Sequence, residues 1–187
     1  LKLRKRCTET GALLVFDEIQ TGFGRVGELF AMKKFDVYPD IIAIAKAMGG
    51  GMPLGGFVSS SEIMTCLSDN PALGHITTFG GHPVSCASGM AALELILKNS
   101  LHMLSNEKGD RFRSNLKHTA IRDIRGSGLF LAVQLNPPDL LDKFMDNSLK
   151  NGMIVDRFLF CNDAFRIAPP LTITEEEIDQ ASEMVIN

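Results

Sequence analysis

The sequence predicts an α/β chain in two parts: mostly parallel strands with covering helices over residues 1–99, and a smaller α+β part over 100–187. Three observations carry that expectation. The runs "ALLVF" at 12–16 and "DIIAIA" at 40–45 lack the polar alternation of a half-exposed strand and read as strands covered on both faces in a parallel sheet. Glycine-rich turns follow both runs. Near Ser100 the texture changes to a charged amphipathic helical pattern followed by strands and helices in α+β order, with no internal repeat or low-complexity linker at the change.

In chain order, "LKLRKRCTET" reads as the last turns of a helix stopped by Gly11. Nothing before it starts the helix, so the chain is expected to begin within a larger fold. The two apolar strands come next, and "GGFVSS" is a weaker third strand. "HPVSCASGMAALELILKN" is a helix: Pro83 suits a first turn, where its missing N–H costs nothing, and apolar residues recur behind it at helical spacing. The charged helix covers roughly 101–119, and "GLFLAVQL" follows as a strand. Another helix starts after Pro137 and Pro138, and "GMIVDRFLF" and "AFRIAPPL" read as strands. A last helix begins at Thr174, where Glu177 three residues on completes a capping box and three glutamates meet the positive end of the helix.

Composition narrows the classes of function. The chain is 45% hydrophobic and 22% charged, as in ordinary globular proteins, and its net charge of −3 gives no electrostatic case for binding nucleic acid. No apolar run approaches the roughly 20 residues that span a bilayer, and no signal-peptide core opens the chain, so the expectation is a cytoplasmic protein off the membrane. Cys7, Cys66, Cys86 and Cys161 are scattered, with no CxxC pair, and are expected to be reduced and mostly buried. With His75, His82, His102 and His118 they supply no ligand spacing for zinc, so no metal is expected.

In open α/β sheets, ligands gather at the carboxyl ends of strands. Asp17 and Glu18 stand at such an end, Lys46 stands at the next, and Thr77 and Thr78 precede "FGGHP". Lys46 follows an apolar run and precedes "AMGGGMPLGG", whose glycines let backbone approach a ligand. A poorly solvated lysine there forms a Schiff base with an aldehyde; the same position also suits a snorkelling surface lysine. An Asp at a strand end equally forms caps and turns. Neither "GFGRVG" nor "GGGMPLGG" ends in GK[ST] or opens a Rossmann unit, so a phosphate-loop reading fails.

Together, "FDEIQTGFGR", "PDIIAIAKAMGGGMPLGG" and "TTFGGHP", in this order and spacing, resemble the class-III (ω-) aminotransferases, which are pyridoxal-phosphate enzymes of fold type I. The resemblance covers the whole chain, which looks like the C-terminal half of such a protein: the end of a large mixed, mostly parallel sheet domain over 1–99 and the small α+β domain over 100–187. It implies that Lys46 is the internal-aldimine lysine and Asp17 the carboxylate paired with the pyridine nitrogen. Ile19, expected by alternation on the same side as Asp17, would pack on the ring face, and Gln20 would bond the phenolic oxygen. Thr78, with Thr77 beside it, resembles the phosphate-binding threonine, which in that family reaches the neighbouring subunit's site and so implies a homodimer. His82 stands where many members carry Asn.

Arg166 in "AFRIAPPL" resembles the arginine that clamps a substrate carboxylate in ornithine- and acetylornithine-type members, with an exposed strand arginine as the plainer reading. Glu18 reads either as a partner for a basic group such as Arg25 or as a cofactor contact, and Arg125 in "IRGSG" as a structural residue at the start of a strand. The function implied is ping-pong transamination from an ω-amino acid or amine to a 2-oxo acid. An aminomutase or racemase on the same scaffold, or a non-catalytic half-enzyme, remains open. Family members are about twice this length, and the phosphate loop and the ring-stacking aromatic lie in the half this sequence lacks, so the 187 residues alone are expected to be inactive.

Overall fold

The computed structural model describes residues 1–68, 70, 72 and 74–186, which divide into two units: Leu1–Phe23 with Glu28–Ser100, and Gly24–Gly27 with Leu101–Asn187. In the first unit, α1 (Lys2–Thr10) stops at Gly11, whose φ of 69° is the left-handed cap conformation that glycine adopts without strain. Asp40 holds the start of the sheet by accepting from the Leu14 N–H at 2.6 Å and pairing with Arg4 at 2.7 Å.

Three strands follow in spatial order: β1 (Val15–Asp17), β2 (Ile41–Ile44) and β3 (Gly56–Ser59). β1 runs parallel to β2, with Val15 opposite Ile41 and Asp17 opposite Ala43, and β3 returns antiparallel, so the sheet is mixed as expected. The expected burial on both faces is not met within this chain. Val15 is 53% exposed, Ile41–Ile44 are all only half-buried, and β1 keeps only the last part of its apolar run, because the chain's large apolar cluster forms in the other unit. Short helices α2 (Ala31–Phe35) and α3 (Ser61–Thr65) were not legible in the sequence. The long helix α4 (Pro83–Lys98) starts on Pro83, as the sequence predicts.

The second unit packs α5 (Leu101–Asn115), α6 (Leu140–Lys150) and α7 (Glu175–Ile186) with an antiparallel sheet. The sheet contains β4 (Ile121–Ser127), β5 (Phe130–Leu135), β6 (Asp156–Phe158) and β7 (Cys161–Ile167) in the order β4-β5-β7-β6. Alternation on β5 turns Leu131, Val133 and Leu135 into a core shared with Phe112, Leu141, Phe165 and Ile178. The capping box forms: Glu177 N–H donates to Thr174 Oγ1 at 3.2 Å and Thr174 N–H donates to Glu177 Oε2 at 2.8 Å.

Four further expectations change. The helix drawn to Thr119 ends at Asn115, and the chain turns there, with the Ala120 N–H donating to His118 Nδ1. Residues 121–127 form a strand the sequence hid, since an edge strand facing solvent tolerates "IRDIRGS". Arg125 accordingly sits inside β4, bonding Gln134 at 2.7 Å and Asp123 at 3.2 Å across its exposed face, rather than at a strand start. None of the four cysteines is buried: Cys66 and Cys86 are exposed, Cys7 and Cys161 intermediate, and all are free thiols, because the helices and strands carrying them turn them away from the core.

Candidate active site

β1 and β2 end side by side, and the ladder runs one residue past β1 through the Glu18 N–H, which donates to the Ala43 carbonyl at 2.9 Å. Asp17 is the last residue of β1 and is exposed. Its Oδ1 accepts from the Ile19 N–H at 3.0 Å, an Asx-type turn that fixes the carboxylate at the strand end. The strand stops at Asp17, so alternation does not extend to Ile19, which lies half-buried in the turn with Gln20.

Glu18 points the other way. It is 1% exposed and accepts from Thr21 Oγ1, from the Ala31 N–H at 3.0 Å and from the Met32 N–H at 2.8 Å, capping α2. Of the two readings of Glu18, pairing with Arg25 does not form. The Arg25 guanidinium instead donates to the carbonyls of Leu129, at 3.3 Å, and Pro169, because residues 24–27 fold into the second unit. The Gly22 N–H closes the intervening turn on the Glu18 carbonyl at 3.0 Å, and Phe23 meets Phe30 edge-on at 5.5 Å.

At the end of β2, Ala45 is fully extended and Lys46 opens a one-turn 3-10 helix, Lys46–Gly49, at φ 51°. A lysine in the left-handed region costs about 1–3 kcal/mol, so the surrounding fold must hold it there. That support comes from α4. Ser88 Oγ donates to the Gly50 carbonyl at 3.0 Å, a Cβ on Gly50 would meet the Ser88 carbonyl at 2.5 Å, and one on Gly89 would run into the Met48 carbonyl. Glycine at these two positions lets the lysine turn lie directly on α4. The Lys46 side chain is exposed in this chain, so its apolar flanks in sequence do not translate into the poor solvation expected of it; the glycine turn covers little. Thr77 and Thr78 lie, exposed, in the loop before α4, with Thr77 Oγ1 set against Gly80. Hydroxyls ahead of a helix start suit a phosphate, an amine suits an aldehyde, and a carboxylate at a strand end suits a protonated ring nitrogen, so this donor set fits pyridoxal phosphate. Among the described residues, no group of acidic, His or Cys side chains could hold a metal ion, and no helix is long and apolar enough to cross a membrane.

Arg166 belongs to the second unit. It is directly across from Asp156 and forms an ion pair with it, its own side chain 22% exposed. Phe165 and Ile167 turn into the core on the opposite face, as alternation predicts. Burial first, then the nearby charge of Arg166, lowers the pKa of Arg25 from the ordinary arginine value.

A model of the aminotransferase class-III family matches residues 1–187. Among solved structures, a transaminase from the marine bacterium Virgibacillus is 31% identical over 99% of this chain and 46% of its own, with a TM-score of 0.89. An (S)-enantioselective omega-transaminase from Thermomicrobium roseum is 33% identical over 98% of this chain and 44% of its own, with a TM-score of 0.87. The ornithine aminotransferase from Toxoplasma gondii, in a structure with partial occupancy of PLP at its active site, is 31% identical over 97% of this chain and 43% of its own, with a TM-score of 0.85. The chain thus spans rather less than half the length of these structures.

Proposed function

The chain belongs to the class-III aminotransferases, and from this we propose that the protein carrying it moves an amino group from an ω-amino acid or amine to a 2-oxo acid with pyridoxal 5'-phosphate. The observation that carries the reading is the pair of adjacent parallel strand ends: one presents the Asp17 carboxylate and the other leads directly into the strained turn of Lys46. When bound, the cofactor supplies an aldehyde that reacts with amines and a ring that draws electrons from the donor's amine-bearing carbon.

Each residue then has a defined task. The Lys46 amine anchors the cofactor, takes the proton from the donor's amine-bearing carbon and returns it when the acceptor is aminated. The Asp17 carboxylate holds a proton on the ring nitrogen, the charge that makes the ring electron-withdrawing. Ile19 packs on the ring, Gln20 bonds its phenolic oxygen, and Thr78 with Thr77 binds the phosphate of a second copy's site in a homodimer. Arg166 grips a donor carboxylate with two parallel bonds. A cytoplasmic place and a role in amino-acid metabolism complete the reading.

The test uses the intact protein with pyridoxal phosphate. Borohydride reduction followed by peptide mapping should put the label on Lys46, and Lys46→Ala should abolish turnover. Label on Lys33 or Lys34, with Lys46 untouched, removes the assignment. Conversion of the donor without any added 2-oxo acid would favour an aminomutase or racemase instead.

A further inference from the structure

The second unit holds a cleft of about 360 Å³ beside α6, whose lining includes none of the residues given a task above. Ile121 of β4, Leu135 of β5, and Val185 and Ile186 of α7 supply apolar walls. The polar groups come mainly from α6. Lys143, Asn147 and Asn151 recur every four residues along the helix and its cap, and so share one row. Phe144 and Ser148 form the next row inward, where the Phe144 ring meets Phe165 of the core at 4.3 Å.

Ser148 is 3% exposed, and its Oγ has no hydrogen-bond partner. Ser105 and Ser182, as deeply buried in helices of the same unit, donate their hydroxyls to the carbonyl four residues earlier, at 3.2 and 2.7 Å. Ser148 makes no such bond to Phe144. A buried hydroxyl left unpaired is costly, and a ligand that pairs it recovers that cost on binding. Charge on the lining has one sign. Among the described lining residues, Lys143 is the one charged side chain and none is acidic; the neighbouring Asp142 is taken up by Arg157 at 2.8 Å. His118 adds a donor, since its Nδ1 accepts from the Ala120 N–H at 3.1 Å and the ring proton therefore sits on Nε2. We propose that this cleft is a second, non-catalytic binding site for a small carboxylic acid with an apolar body. The body lies against Ile121, Leu135, Val185 and Ile186, and the carboxylate accepts from Ser148 Oγ and the α6 amides within the field of Lys143. Ser148 thereby gains the partner that Phe144 does not supply. Nothing in this site depends on how the cofactor site works.

The experiment titrates the intact holoenzyme with hexanoate and with 1-hexanol, which share a chain and differ in the head group, by calorimetry and by melting temperature. Hexanoate should bind and raise the melting temperature, and hexanol should bind more weakly. Lys143→Met should weaken hexanoate about two- to fivefold, the value of an exposed ion pair, and leave hexanol unchanged. Ser148→Ala should weaken hexanoate about two- to tenfold, the value of one hydrogen bond. Without ligand, the same variant should melt no lower than wild type, because the hydroxyl it removes has no partner. Arg166→Lys should leave the Lys143-sensitive binding unmoved, which separates this cleft from the carboxylate grip proposed for Arg166. The inference falls if hexanoate does not bind, or if Arg166→Lys weakens it while both α6 variants leave it unchanged. It falls equally if Ser148→Ala lowers the melting temperature of the ligand-free protein.

Discussion

Asp17 and Glu18 are neighbours with opposite surroundings, and alternation at the end of β1 is the reason. One carboxylate is left at the accessible strand end; the other is driven inside, where the first N–H groups of α2 meet it. Their variants should separate accordingly. Asp17→Asn keeps the shape and the turn but loses the charge, so kcat should fall about 100-fold or more with an unchanged melting temperature, by analogy with other preorganised charges. Glu18→Ala leaves the Ala31 and Met32 N–H groups unpaired near the core, and should cost about 1–3 kcal/mol of stability in a denaturant melt. A normal kcat in the first variant, or an unshifted melt in the second, would reverse the roles. The sequence exposed Asp17 to view but left Glu18 between a basic partner such as Arg25 and a cofactor contact, because the backbone donors that claim Glu18 belong to a helix too short to announce itself.

α5 and α7 are fastened by a cluster that sequence periodicity does not show. Arg111 grips Asp179 with two bonds, at 2.8 and 2.6 Å, and the Asn115 amide adds a third at 2.7 Å. The bonds from Arg111, then that from Asn115, lower the Asp179 pKa from 3.8 to about 2. The folded protein thus holds this proton more weakly than the unfolded chain does. The cluster's stabilisation is present above the unfolded value near 3.8 and is lost as pH falls through about 2. Melting curves from pH 6 down to 2 should show Asp179→Asn less stable than wild type at pH 6, with the difference closing over the lowest two pH units. A difference that stays constant with pH would mean the cluster contributes through packing alone. The Thr174–Glu177 box at the head of the same helix was readable because both partners lie within one turn; Arg111 and Asp179 are brought together only by the packing of two helices.

At the scale of the molecule, the first unit keeps apolar strand faces accessible and carries exposed Ile76, Phe79 and Met90 around the Thr78 loop and α4. That surface agrees with a proposed dimer in which each loop serves the other copy's phosphate. Mixing a Lys46→Ala protein with a Thr78→Ala protein should then restore activity, since one of the two sites in a mixed dimer holds both residues intact. No recovery after demonstrated subunit exchange would show that the loop serves its own chain.

By itself, the sequence determined the things that depend on neighbours in the chain: the α/β class, the Gly11 stop, the Pro83 start, the capping box, and the placing of Asp17 and Lys46 at strand ends. These follow from short-range geometry, where a residue's type limits its own φ and its own hydrogen bonds. The tertiary structure decided what depends on distant partners. It buried Glu18 on α2, sent Arg25 to the carbonyls of Leu129 and Pro169, made an edge strand of residues 121–127, and placed Asp156 across from Arg166. It also set Lys46 in a left-handed turn braced by Gly50 and Gly89 against α4. Charges, caps and close backbone contacts are settled by whichever groups packing brings within about 3 Å, and no local pattern encodes that choice.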